Sequence, residues 1–186
     1  DGFSISISSI RNIMIREGIY KPKRSKKKRI HPRRERRSRF GELVQIDGSP
    51  HDWFEGRREK CCLIVFIDDA TSQLLGLRFV EEESLRGYFL TVKDYLSKNG
   101  KPRAFYSDKH GIFRVNHGCN MEERITQFGR AMKELDIKTI CAHSPEAKGR
   151  VERANGILQD RLVKELRLQE ISTIEEANAF LPKYME

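Results

Sequence analysis

The chain has 186 residues, 36 Lys and Arg against 27 Asp and Glu, a formal charge of +9, 38% hydrophobic residues and ten Phe. That length suits one ordinary domain with small appendages, and that apolar content excludes wholesale disorder. The longest apolar run, residues 61–67, falls far short of the ~18–20 residues of a spanning helix, so no membrane role is expected.

The charge is concentrated. Residues 21–39 hold twelve Lys and Arg and one acid, a local +11, which leaves the rest of the chain at −2. No secretion pattern is visible at the N-terminus. Of Cys61, Cys62, Cys119 and Cys141, two are adjacent in an apolar run, which reads as core thiols in a reducing cytoplasm rather than a disulfide framework. The sequence opens on Asp1 and stops at Glu186 inside an expected helix, the pattern of a piece of a longer protein.

In chain order, residues 3–18 begin Ser-rich and turn helical. Ile10, Ile13 and Met14 fall at helical spacing, Ser8 or Ser9 is placed to cap the start, and Gly18 stands where the helix would end. A short helix after such a turn suits the end of a helix-turn-helix DNA-binding unit, residues 1–20. Residues 21–41 form an extended basic linker, broken by Pro22 and Pro32. A polyanion is its expected partner, gripped by Lys26, Lys27, Lys28, Arg29, Arg33, Arg34, Arg36 and Arg37.

The core is expected over 42–186. Residues 42–49 alternate as a strand, 61–67 read as a strand buried on both faces, and 74–80 return antiparallel after a DDAT turn. Leu85–Gly100 is predicted as a helix with Leu85, Tyr88, Phe89, Val92 and Leu96 on its apolar stripe. A short strand at 103–108 follows, then an irregular loop at 109–121, a helix at 122–135, a strand at 137–143 and a long helix from Arg150 to about Leu168. Ser172 is placed to cap a last helix. The order βββαβαβα predicts a five-stranded mixed sheet, order 3-2-1-4-5, with helices on its faces.

Three acids stand at informative places. Asp47 lies in the first strand, Asp108 ends the fourth, and Glu152 lies near the start of the long helix. Neighbouring first and fourth strands would bring two carboxylates together, and a helix across that end would supply the third. Like charges ~4 Å apart repel by about 1 kcal/mol even in bulk water. A hard divalent cation removes that cost, and carboxylates suit Mg²⁺ or Mn²⁺. Two such ions about 3.5–4 Å apart can activate a water or a 3′-hydroxyl on one side of a phosphorus and stabilise the leaving oxygen on the other.

The stretches QIDGSPHDWF, LIVFIDDATSQLLG, YSDKHGIF and SPEAKGRVERANGILQDRL resemble the catalytic core shared by DDE transposases and retroviral integrases. The nearer resemblance is to insertion-sequence transposases of the ISNCY type, over roughly residues 40–186. It implies an RNase H-like α/β fold, truncated here at the C-terminus. It also implies Mg²⁺-dependent cleavage at transposon ends followed by strand transfer into target DNA. Asp47, Asp108 and Glu152 match the metal-binding D, D and E, with two Mg²⁺ ions as cofactors and Mn²⁺ as substitute. The resemblance further implies a homo-oligomer on DNA and a bacterial, nucleoid-associated cytoplasmic protein. The acids are separated by 60 and 43 residues, and Lys109-His110-Gly111 stands where Asn-Gly is usual in the family. Two rival readings are a catalytically inactive DNA-binding regulator on an integrase-like scaffold and an RNase H-like nuclease without strand transfer.

Lys148, Arg150 and Arg153 flank Glu152 and are expected to contact DNA, while Val151, Ala154, Leu158 and Leu162 form the face that packs on the sheet. Asp68 and Asp69 read as turn residues. Trp53 is balanced between stacking on a base and packing the sheet. The pairs His117/Cys119 and Cys141/His143 lack the spacing of a zinc site.

Overall fold

The computed structural model describes residues 5–20, 35–108, 110–113, 125–142 and 148–186. The chain divides into two compact units, Asp1–Pro32 and Arg33–Glu186. In the first, helix α1 spans Ile7–Arg16 and is capped by Ser6, whose side chain accepts from the Ser9 N–H. The cap falls two residues before the expected Ser8, because Ser8 and Ser9 are themselves helical. Gly18 takes φ +72° just past the end, as expected. None of the α1 residues is buried within the described structure.

The second unit is built on a five-stranded sheet. Its strands are β1 (Val44–His51), β2 (Cys61–Asp68), β3 (Leu74–Val80), β4 (Ala104–Ser107) and β5 (Lys138–Cys141), in the order β3-β2-β1-β4-β5. Strands β1, β2 and β3 pair antiparallel, while β1–β4 and β4–β5 pair parallel. The mixed topology expected from the sequence is the one observed. Helices α2 (Leu85–Asn99), α3 (Gln127–Glu134), α4 (Gly149–Leu168) and α5 (Ile174–Met185) cover the sheet.

The pleat of β2 separates two cores. Leu63, Val65 and Ile67 pack with Trp53, Phe54 and Phe79 under α4 and α5. Ile64 and Phe66 pack with Val44, Ile46 and Phe105 under α2 and α3. Period-two alternation therefore sends neighbouring residues to opposite layers, and all eight β2 residues are buried. Cys61 and Cys62 behave as core residues: burial pushes their thiols up to about 11 and about 12. Trp53 is fully buried, donates to the Ser49 carbonyl at 2.9 Å and meets Phe79 edge-on, so it packs the sheet and offers no face to a base.

Local details of helices α2, α3 and α5 differ from expectation. Helix α3 begins at Gln127 with Thr126 as its cap, five residues later than the pattern implied. Helix α5 is capped by Thr173, not Ser172, in a reciprocal box with Glu176. In α2 the buried stripe is Gly87, Tyr88, Thr91, Val92 and Tyr95, so Leu85, Phe89 and Leu96 sit at its margin.

Candidate active site at the junction of the first and fourth strands

Strand β1 turns its odd-numbered side chains towards α4. Three pairs result. The Gln45 Oε1 accepts from the Val151 N–H at 3.2 Å, the Asp47 Oδ2 accepts from Asn155 Nδ2 at 2.9 Å, and the Ser49 Oγ accepts from Gln159 Nε2 at 3.0 Å. Positions 45, 47 and 49 of the strand thus meet positions 151, 155 and 159 of the helix. Val151, Ala154, Leu158 and Leu162 are buried, as the helix pattern predicts.

The parallel register of β1 and β4 pairs Val44 with Phe105 and Gln45 with Tyr106. Continued two residues, it brings Asp108, the first residue past β4, level with Asp47. The two carboxylates share one cation. Lys148 Nζ donates to Asp47 Oδ1 at 2.5 Å and lies 3.7 Å from Asp108 Oδ2. The remaining oxygen of each acid is anchored elsewhere, Asp47 Oδ2 by Asn155 and Asp108 Oδ1 by the His110 backbone N–H at 2.9 Å. His110 therefore serves the site through its main chain. Burial pushes the Asp47 carboxyl up from the ordinary 3.8, against the pull of Lys148, and the charges of Asp108 and Glu83 act in the same direction as burial.

Glu83 is a fourth acid that the sequence did not single out. Its carboxylate lies over Gly48, where an added Cβ would approach its atoms to 2.6–2.9 Å. Only glycine beside Asp47 leaves that space. Tyr88 Oη donates to Glu83 Oε1 at 2.6 Å, and burial, then the Glu83 charge, pushes the phenol up and keeps it a donor. The adjacent Asp-Gly pair was the available signal for this contact. For Asn155 the signal was one polar residue within an otherwise apolar helix face.

Glu152 is exposed on the first turn of α4, three residues before Asn155, and its carboxylate has no hydrogen bond or ion pair among the described residues. Residues three apart on a helix are neighbours, about 5–6 Å between Cβ atoms. Among the described residues no set of three His, Cys, Asp or Glu side chains is gathered closely enough to hold a metal. The structure thus joins Asp47 and Asp108 around one cationic position and does not bring Glu152 into it. Two hard-oxygen carboxylates already sharing an ammonium fit Mg²⁺ or Mn²⁺ in chemistry and charge.

The basic residues divide. Lys148 is 5% exposed and spends its charge on the acid pair. Arg150 donates to Asp69 Oδ1 at 2.7 Å. Arg153 is exposed on α4. Arg36 donates to the Ala70 carbonyl at 3.2 Å, and the Arg37 N–H donates to Asp69 Oδ2 at 2.8 Å. Lys26, Lys27, Lys28, Arg29, Arg33 and Arg34 lie outside the described residues, as do His117, Cys119 and His143.

Asp68 and Asp69 form the turn that was expected, and more. Asp68 accepts from the Gly41 and Thr71 N–H groups at 2.9 and 2.8 Å. Asp69, fully buried, also accepts from Gln45 Nε2 at 2.8 Å, so one carboxylate ties the end of the linker, strand β1 and helix α4 together. No helix among the described residues is long and apolar enough to cross a membrane.

No protein-family model matches the chain. It is 50% identical over 187 residues to the putative transposase y4bF of Sinorhizobium fredii, an alignment covering 100% of this chain and 41% of that protein. It is 41% identical over 162 residues to the transposase for insertion sequence IS1202 of Streptococcus pneumoniae, covering 86% of this chain and 34% of that protein. The chain thus spans less than half the length of these curated relatives. Its fold matches that of the HTLV-2 integrase catalytic core domain, solved in complex with magnesium, with a TM-score of 0.57 and 20% identity over 75% of this chain and 80% of that one. The chain therefore resembles transposases in sequence and has the RNase H-like fold of a retroviral integrase core.

Proposed function

We propose that this chain is the catalytic core of a DDE-type DNA transposase. It cleaves phosphodiester bonds at transposon ends with Mg²⁺ and joins the freed 3′-hydroxyl to target DNA. The observation that carries the reading is the paired carboxylate geometry. Asp47 and Asp108 each keep one oxygen anchored by a protein N–H and turn the other to a common cation. Such a pair is costly without a positive charge between its members.

Asp47, Asp108 and Glu152 are the residues that would hold the metal. Bound there, Mg²⁺ would polarise the phosphoryl oxygens and lower the pKa of an attacking water or 3′-hydroxyl. The protein's own part is positioning. Asn155 and the His110 N–H fix the rotamers of the two strand acids, and Gly48 admits Glu83 beside them. In cleavage, the oxygen of water forms the new bond to phosphorus and the 3′-oxygen leaves as a hydroxyl. In strand transfer, that hydroxyl attacks the target phosphorus and a target 3′-hydroxyl leaves. Neither step requires a covalent bond to the enzyme.

The same reading assigns residues 1–20 to the end of a helix-turn-helix unit and 21–41 to a DNA-gripping linker, with Arg153 beside the reacting phosphate. It makes the working form a homo-oligomer on two DNA ends in the bacterial cytoplasm. The test is single replacement in the full-length protein, Asp47→Asn, Asp108→Asn and Glu152→Gln, assayed for nicking and joining of transposon-end duplexes with Mg²⁺. Each should abolish both products. Full activity in any one removes that residue from the site. In the wild-type protein assayed alongside, nicks without joined products would make the enzyme a nuclease, and tight end binding with neither product would make it a regulator.

A further inference from the structure

Lys148 occupies an unfavourable place for a lysine. It is the N-cap of a 20-residue helix, where the helix dipole disfavours a cation, and its side chain makes no capping bond. It is also 5% exposed, and lysine is almost never so deeply buried unless paired. What holds it is the acid pair, Asp47 Oδ1 at 2.5 Å and Asp108 Oδ2 at 3.7 Å. Those are the two oxygens left free by Asn155 and His110, and therefore the two that a metal ion would need. One position cannot hold the ammonium and a divalent ion together.

We propose that Lys148 is an internal counter-cation of the acid pair, which it surrenders when a divalent ion loads. The inference rests on the metal-dependent reading above. Before loading, the ammonium offsets the repulsion between Asp47 and Asp108 and keeps both rotamers in place. On loading, the flexible four-carbon stem swings the charge out of the site, at a helix N-terminus where a phosphate is favoured. The contact with DNA expected of Lys148 from its sequence position thus becomes available only in the loaded state. Metal binding and DNA grip are coupled through one side chain. Glu152, without a partner among the described residues and about one helical turn from Asn155, is free to complete the set as Lys148 departs.

The test is Mn²⁺ binding to the metal-stripped chain without DNA, at fixed pH and salt, read from the electron paramagnetic resonance signal of free Mn²⁺. Wild type is compared with Lys148→Met, Lys148→Gln and Asp47→Asn. Removing a unit charge in contact with Asp47 should tighten Mn²⁺ binding by about tenfold or more in both Lys148 variants, and Asp47→Asn should weaken it. In EDTA the Lys148 variants should melt below wild type, and the gap should close at saturating Mn²⁺. Equal or weaker Mn²⁺ binding by the Lys148 variants, with Asp47→Asn still weakened, overturns the exchange and leaves the metal reading intact. Binding indifferent to both positions overturns both. Lys148→Gln keeps a neutral donor and decides the matter if Lys148→Met does not fold. Recovery of a folded circular dichroism spectrum on adding Mn²⁺ supports the exchange, and failure to recover counts against it.

Discussion

Replacing Asn155 by Leu separates stability from chemistry. The Asn155 Nδ2 bond to Asp47 Oδ2 spans 2.9 Å within a largely buried site. A hydrogen bond to a charged group contributes about 1.5–3 kcal/mol. The same amide carries a liability, because its Oδ1 is buried with no hydrogen-bond partner among the described residues. Relieving an unsatisfied buried acceptor returns about 1–3 kcal/mol, and Leu shares the branched heavy-atom outline of Asn. The two terms largely cancel, leaving a net loss of no more than about 2 kcal/mol, or less than about 8 °C in a domain of this size. Function should respond differently, because Asp47 loses the group that anchors its Oδ2 and so fixes the direction of its free Oδ1. Loss of such an outer support costs about 10–100-fold in metal affinity or activity. Differential scanning fluorimetry in EDTA and Mn²⁺ titration of the same preparation give both numbers. A fall in melting temperature beyond about 10 °C would refute the cancellation, and unchanged Mn²⁺ affinity would refute the positioning role.

Gly48→Ala should push the Glu83 carboxylate aside and strand the Tyr88 hydroxyl, costing about 1–3 kcal/mol by chemical denaturation; in a Tyr88→Phe background the same change should cost clearly less. Asp69→Ala leaves the Arg37 N–H, Gln45 Nε2 and Arg150 without their shared acceptor, and about 3–5 kcal/mol should be lost, measured the same way. The folded-state pKa of Asp47 is raised by burial above 3.8, so its contribution is fully present at acid pH and is lost as pH rises through the raised value. The melting temperature of wild type minus that of Asp47→Asn, in EDTA, should therefore decline with rising pH from just above 3.8, and a flat or rising difference would contradict the burial argument. If the basic strap contacts about six phosphates, log K for duplex DNA should fall with log salt at a slope near −5, and a flat response would rule it out as the anchor.

What the sequence made legible was local or periodic. Alternation in Val44–Asp47, the unbroken apolar run of residues 61–67, and the helical spacing of Val151, Ala154, Leu158 and Leu162 were enough to draw the sheet, its order and the seating of α4. Asp47 and Asp108 stood out because one lies in the first strand and the other ends the fourth, strands that the expected order makes neighbours. The caps were misplaced by a residue or two, since Ser8 and Ser9 are as competent as Ser6, and Ser172 as Thr173, until the helix commits to its first turn. The destinations of polar side chains were hidden for a different reason. Lys148 reaches Asp47 across 101 positions, Arg150 reaches Asp69 across 81, and Glu83 meets Gly48 through a space defined by a missing Cβ. Such pairings depend on which layers pack together, and no local pattern of charge distinguishes a lysine that faces a carboxylate from one that faces solvent.

The three rungs between β1 and α4 act as a vernier. Two strand residues advance about 6.6 Å and four helix residues about 6.0 Å, so the two scales drift apart by roughly 0.6 Å per rung. Coincidence is closest at one mark and fades on either side, and hydrogen bonds tolerate only about three marks before the drift exceeds their reach. Asp47 stands on the middle one, with Gln45 and Ser49 flanking it. The acid therefore holds the middle mark, and sliding the helix along the strand would bring one outer mark closer only by spoiling the middle one and the other.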